Sequence, residues 1–169
     1  MEKDKAIFLD RDGVVCKALN PNNDGKNGYL INLEEFELLP GIEKLIETAK
    51  RKDYKVIVVT NQTQTAKRFL SQEKLHEIHL KMQNSLGNRI DKIYYCPHLQ
   101  EDDCEHRKPK PGMLNKASRD FDIDLSALIK FVYDNLSNTP FTFLPPCFKK
   151  RKTPAFCSGA LDNVKFFRA

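Results

Sequence analysis

The sequence lacks any run of about 18 apolar residues, so it contains no segment that could cross a bilayer as a helix. Its opening, MEKDKAIFLDRDG, has charged residues first and only a brief apolar stretch, too short for a secretory leader with a small-residue cleavage site. A full disulfide framework is also missing, since five cysteines cannot all pair within one chain. Together these absences point to a cytoplasmic protein. No internal repeat or low-complexity segment appears. The net charge of +5 invites a nucleic-acid reading, but it is unevenly placed. Residues 139–169 hold Lys149, Lys150, Arg151, Lys152, Lys165 and Arg168 against Asp162 alone. Removing these six bases and one acid from the chain's 28 and 23 leaves 22 of each in residues 1–138. The body is therefore neutral, which speaks against a basic groove and a nucleic-acid partner.

What remains is an ordinary globular composition, 40% hydrophobic over 169 residues, enough for one buried core. Residues 6–10, 55–60, 92–96 and 128–133 are short apolar runs without alternation, as expected of strands buried on both faces. Between them lie helical patterns. Ile42, Leu45, Ile46 and Ala49 form one apolar stripe after Pro40-Gly41, and Leu75, Ile78, Met82 and Leu86 form another after a capping Ser71. A third helix is expected from about Pro111, placed in its first turn, to Phe121. Residues 19–28 are turn formers and predict a loop. Alternating strands and helices predict an α/β fold, a Rossmann-like parallel sheet sandwiched by helices. Ligands in such sheets bind beyond the carboxyl ends of the strands. Asp10, Asp12, Thr60 to Gln62, Cys96, His98 and Asp134 all fall there.

Two groups of residues carry chemistry. In FLDRDGVV, residues 8–15, Asp10 and Asp12 crowd negative charge at the end of a strand, an arrangement that a hard cation such as Mg²⁺ would stabilise. Gly13 lets the chain turn and lets backbone N–H groups face an anion. In CPHLQEDDCEHRKPKPGM, residues 96–113, Cys96, His98, Cys104 and His106 offer thiolates and imidazoles at the short spacing that suits tetrahedral Zn²⁺. The alternative is a loop with two free cysteines and two surface histidines. His76 and His79, three apart on a helix, read as partly exposed residues without a ligand. Cys16 has no partner base in view, and Cys147 and Cys157 need no function.

FLDRDGVV resembles the first motif of the haloacid dehalogenase-like phosphatases. With NGYLINLEEFELLPGIEKL and VIVVTNQ, it resembles the branch that contains D-glycero-D-manno-heptose 1,7-bisphosphate phosphatases and histidinol-phosphatases. The resemblance covers roughly residues 5–135 and implies a capless phosphatase, with these roles. Asp10 is the nucleophile, forming an aspartyl-phosphate. Asp12 protonates the leaving alcohol and then deprotonates the hydrolytic water. Asp10, the backbone carbonyl of Asp12 and Asp134 hold Mg²⁺. Thr60, Asn61, Lys108 and Arg11 bind the phosphoryl group, and Arg107 contacts the substrate unless it is simply solvated. The branch also carries a zinc loop here, so Cys96, His98, Cys104 and His106 form a closed structural site, with histidine in place of the usual last cysteine.

The resemblance implies a small phosphorylated sugar as substrate, a heptose bisphosphate first, and a monomer. Histidinol phosphate is the alternative, because the five residues between His98 and Cys104 also resemble that enzyme's spacing. Two readings of other classes stand beside it: a nucleic-acid 3′-phosphatase and a non-catalytic remnant. The remnant is motivated by the fourth motif, FVYDNLSN, where Tyr133 replaces a glycine and Asn138 a second acid. The expected division is a phosphatase domain over 1–138, shortened relative to the family, and an atypical tail over 139–169. That tail holds four prolines, a KKRK run and six of the eleven phenylalanines, as if a disrupted reading frame had replaced the original C-terminus.

Overall fold

The computed structural model describes residues 3–19 and 29–125, together with strands at 129–133 and 140–143. The elements run in this order. Strand β1 is Lys5–Leu9, a 3-10 turn follows at Leu33–Glu35, and helix α1 is Ile42–Arg51. Then come β2 (Tyr54–Asn61), α2 (Gln72–Ser85), β3 (Lys92–Cys96), α3 (Gly112–Phe121), β4 (Ile129–Tyr133) and β5 (Pro140–Phe143). The sheet order is β3-β2-β1-β4-β5. Strand β1 runs parallel to β2 and β4, and β2 runs parallel to β3. The predicted parallel sheet is thus present, its strands within a residue of the expected runs. Strand β5 pairs antiparallel with β4, in a segment whose composition gave no strand period.

The period of two along each strand makes the two core layers. Ile7 and Leu9 of β1 and Val56 and Val58 of β2 point to one face, against Ile42, Ile46, Leu75, Ile78 and Met82. Ala6, Phe8, Ile57 and Val59 point to the other, against Tyr94, Met113, Ala117 and Ile123. Burying each large aliphatic or aromatic side chain contributes about 1.5–3 kcal/mol, which is why these strands read as continuous apolar runs. Both expected helical stripes face the core, with Leu45 partly buried at the margin of the first. Gly41 precedes α1 at a φ of 85°, a conformation that costs glycine little. The Ser71 hydroxyl caps α2, accepting a bond from the Lys74 amide at 3.2 Å. Helix α3 begins at Gly112, so Pro111 stands one position before the expected first turn. No helix among the described residues is long and apolar enough to cross a membrane.

Strands β1 and β2 share register from Lys5↔Tyr54 to Leu9↔Val58, so their carboxyl ends lie side by side. Strand β4 adds on the far side of β1, so the chain reverses its direction of sheet growth at β1. Crevices for ligands form at that reversal. Asp134, Asn138, most of the loop at 19–28 and most of the tail lie outside the described residues.

Candidate active site

Strand β1 delivers Asp10, and the chain turns sharply after it. Gly13 takes a φ of 81°, which a side chain would strain. Its amide bonds the Cys16 carbonyl at 2.8 Å, while the Val15 and Cys16 amides both donate to the Arg11 carbonyl. This tight loop fixes Asp10 and Asp12 at the sheet end, as the spacing predicted.

The Asp10 carboxylate is almost enclosed. Its Oδ2 accepts a bond from Lys108 Nζ at 2.5 Å, and its Oδ1 accepts one from the Arg11 amide at 2.8 Å. Burial raises the Asp10 carboxyl above its ordinary value, and the Lys108 ammonium opposes that rise. Lys108 Nζ also donates to the Val59 carbonyl at 3.1 Å, which ties it to β2. Asn61, expected at the phosphate, grips Lys108 instead. Its Oδ1 accepts from the Lys108 amide at 3.1 Å and its Nδ2 donates to the Lys108 carbonyl at 3.2 Å. The strand-end asparagine therefore aims the lysine. A residue 47 positions away supplies both the donor and the acceptor, which no local spacing reveals.

Arg11 also differs from the sequence reading. Expected among the phosphate-binding groups, its side chain is wholly buried. Nε and Nη2 donate to the two oxygens of Asp12 at 3.0 and 3.1 Å, a forked charge-assisted pair. Gln62 approaches the same carboxylate from β2, donating to Asp12 Oδ2 at 2.9 Å and to Thr60 Oγ1 at 2.8 Å. Gln64 in turn donates to Gln62 Oε1. The sequence placed Thr60 at this strand end but gave no signal for the bridging role of Gln62. Histidine 79 is the other correction. Read as a partly exposed helix residue, it is buried, its Nε2 3.5 Å from Arg11 Nη1. Its ring tilts against Tyr95 with centroids 5.7 Å apart. Cys16 is buried as well, its Sγ 3.7 Å from Asp12 Oδ1, and burial raises its thiol far above the ordinary value.

The loop after β3 brings Cys96, His98 and Cys104 together, their ligand atoms within 4.8 Å of one another. Cys96 Sγ lies 3.6 Å from His98 Nδ1. Two thiols and one imidazole converging on a point fit Zn²⁺ in donor type. His106 is exposed and does not join the group. The expected closed set of four is therefore a set of three, and its closure does not follow from these side chains. Arg107 donates to the His98 carbonyl at 2.9 Å, so it braces this loop beside Lys108. An open cleft of about 460 Å³ runs between Thr65, Arg68 and Leu70 of the loop after β2 and Pro97 and His98 after β3.

The family model described as polynucleotide kinase 3 phosphatase matches residues 6–139. The chain is 42% identical over 139 residues to a D-glycero-alpha-D-manno-heptose-1,7-bisphosphate 7-phosphatase of Campylobacter jejuni, covering 80% of this chain and 74% of that protein. It is 37% identical to a D-glycero-beta-D-manno-heptose-1,7-bisphosphate 7-phosphatase of Pasteurella multocida, over 71% of this chain and 66% of that one. Its fold is similar to the crystal structure of a D,D-heptose 1,7-bisphosphate phosphatase from B. bronchiseptica complexed with magnesium and phosphate. That match has a TM-score of 0.65 at 34% identity and covers 75% of this chain and 68% of the other.

Proposed function

Because the chain belongs to the polynucleotide kinase 3 phosphatase family and is a phosphatase, we propose that it removes the C7 phosphate of D-glycero-D-manno-heptose 1,7-bisphosphate through an aspartyl-phosphate on Asp10. The observation that carries this reading is the largely enclosed Asp10 carboxylate set against Lys108, with Asp12 two residues on, at the carboxyl end of β1. The relatives named for heptose bisphosphate supply the substrate.

The chemistry runs in two displacements. Asp10 attacks phosphorus as the bond to the sugar oxygen breaks, and the proton on Asp12 passes to that departing oxygen. Water then attacks the phosphorus of the aspartyl-phosphate and gives its proton to Asp12. Inorganic phosphate leaves and Asp10 is restored. Lys108 neutralises charge on the transferring group, and Thr60 donates its hydroxyl to a phosphoryl oxygen. The oxygen donors of Asp10 and of the Asp12 carbonyl fit a hard cation in type. These groups and Asp134 would hold Mg²⁺, which supplies further charge neutralisation at the phosphoryl oxygens.

The test is phosphate release from heptose 1,7-bisphosphate with Mg²⁺, beside histidinol phosphate and a 3′-phosphorylated oligonucleotide. Turnover of the heptose bisphosphate that disappears in Asp10→Asn is the expected result. Faster release from either other substrate overturns the substrate assignment. Release that survives Asp10→Asn overturns the mechanism.

A further inference from the structure

We propose that Arg11 and His79 form a buried positioning relay that holds Asp12 in line for proton transfer. This rests on the role given to Asp12 above and adds two residues to that site. Arginine 11 sits between the two catalytic acids in sequence, yet its side chain turns inward and is 0% exposed. A buried guanidinium is costly unless its donors are matched. Asp12 takes Nε and Nη2, and Nη1 is directed toward His79. Arginine can only donate, so His79 Nε2 must accept, which puts the imidazole proton on Nδ1. Burial and the Arg11 charge both keep that ring neutral, as the acceptor role requires. The ring is itself braced by α2 and by Tyr95 on β3.

The relay ends on a carboxylate that is still reachable. Asp12 keeps 25% of its side chain exposed, while Arg11, Gln62, Gln64 and His79 behind it are buried. Gln62 links the same carboxylate to Thr60, so the proton-transfer group and a phosphate-binding hydroxyl share one support. A general acid contributes about 10²–10⁴-fold, and only when its geometry is held. A network that merely satisfied Arg11 would affect folding alone. One that positions Asp12 must affect reactions in proportion to their need for a proton.

That difference defines the experiment. His79→Leu and His79→Gln are compared with the parent chain on a sugar phosphate, whose alkoxide must be protonated as it leaves, and on p-nitrophenyl phosphate, whose leaving group needs no proton. In His79→Leu, kcat/KM, which reports only the first displacement, is expected to fall about tenfold or more on the sugar phosphate, against less than about threefold on the nitrophenyl ester. His79→Gln should recover most of the loss, because its carboxamide oxygen can accept from Nη1. Equal losses on both substrates in a folded variant overturn the relay, as does unaltered turnover. Should the leucine variant fail to fold, the glutamine variant and the ¹⁵N shifts of the His79 ring in the parent chain decide. A proton on Nε2 rather than Nδ1 refutes the proposal whatever the turnover. Absence of Asp10-dependent turnover of either ester overturns the parent reading and the relay together.

Discussion

Acid should weaken this fold through His79, and the size of the effect follows from its burial. Desolvation first, then the neighbouring Arg11 charge, push the imidazole down from 6.5 to about 3. Between those values the unfolded chain binds a proton that the folded chain refuses. Stability therefore falls as pH falls through this window, and the group has no effect above it. Each pH unit well inside the window corresponds to about 1.4 kcal/mol, and the unfolded imidazole is only half protonated at its upper edge, so acidifying from about pH 6.5 to about pH 4.5 removes about 2 kcal/mol through this residue. That is a large part of the 5–15 kcal/mol typical of a domain. The assay is urea unfolding at a series of pH values, for the parent chain and for His79→Gln. The difference between the two proteins isolates His79 from the carboxylates that titrate in the same range. The glutamine variant should become relatively more stable on acidification by about that amount. A difference that stays constant from neutral pH to about pH 4.5 would refute the argument, and would mean that His79 is protonated in the folded protein or open to water.

Three further outcomes are expected. Lys108→Met should lower kcat about a hundredfold or more, because the ammonium 2.5 Å from Asp10 is lost, and a steady-state assay would detect it. Metal content by mass spectrometry should drop in His98→Ala and stay the same in His106→Ala, since only the former converges with Cys96 and Cys104; equal losses would restore the four-ligand reading. Gly112→Ala would place a Cβ 2.2 Å from the Glu105 carbonyl oxygen, a backbone atom that cannot swing aside. A loss of about 1–3 kcal/mol is expected, read as a fall in Tm of several degrees, and an unchanged Tm would show that the loop yields freely.

The strands and helices were legible because each obeys its own period. Apolar runs such as AIFL and VIVV can only be buried on both faces, and the stripes through Ile42 and Leu75 can only face a sheet. Alternation of the two then fixed where the strand ends gather, so Asp10, Asp12 and Thr60 could be placed there before any coordinate, whereas Lys108 was assigned only through the resemblance. Strand β5 was not legible, because PFTF gains its order from pairing with β4 and not from its own pattern. His79 was misread for a related reason. Three residues along a helix from His76, it differs from that exposed residue only in which side of α2 meets Arg11.

The sequence by itself thus determined the fold class, the place of Asp10 and Asp12 at a strand end and the donor types gathered after β3, since these depend on local periodicity and on residue types. Only the tertiary structure decided what each polar side chain serves. It turned Arg11 inward onto Asp12, set Asn61 to hold Lys108, joined Asp12 to Thr60 through Gln62, and left His106 outside the cysteine cluster. Those partners lie up to 50 positions apart in the chain. A hydrogen bond depends on distances of a few tenths of an ångström, which the packing of the whole sheet sets and no spacing along the chain encodes.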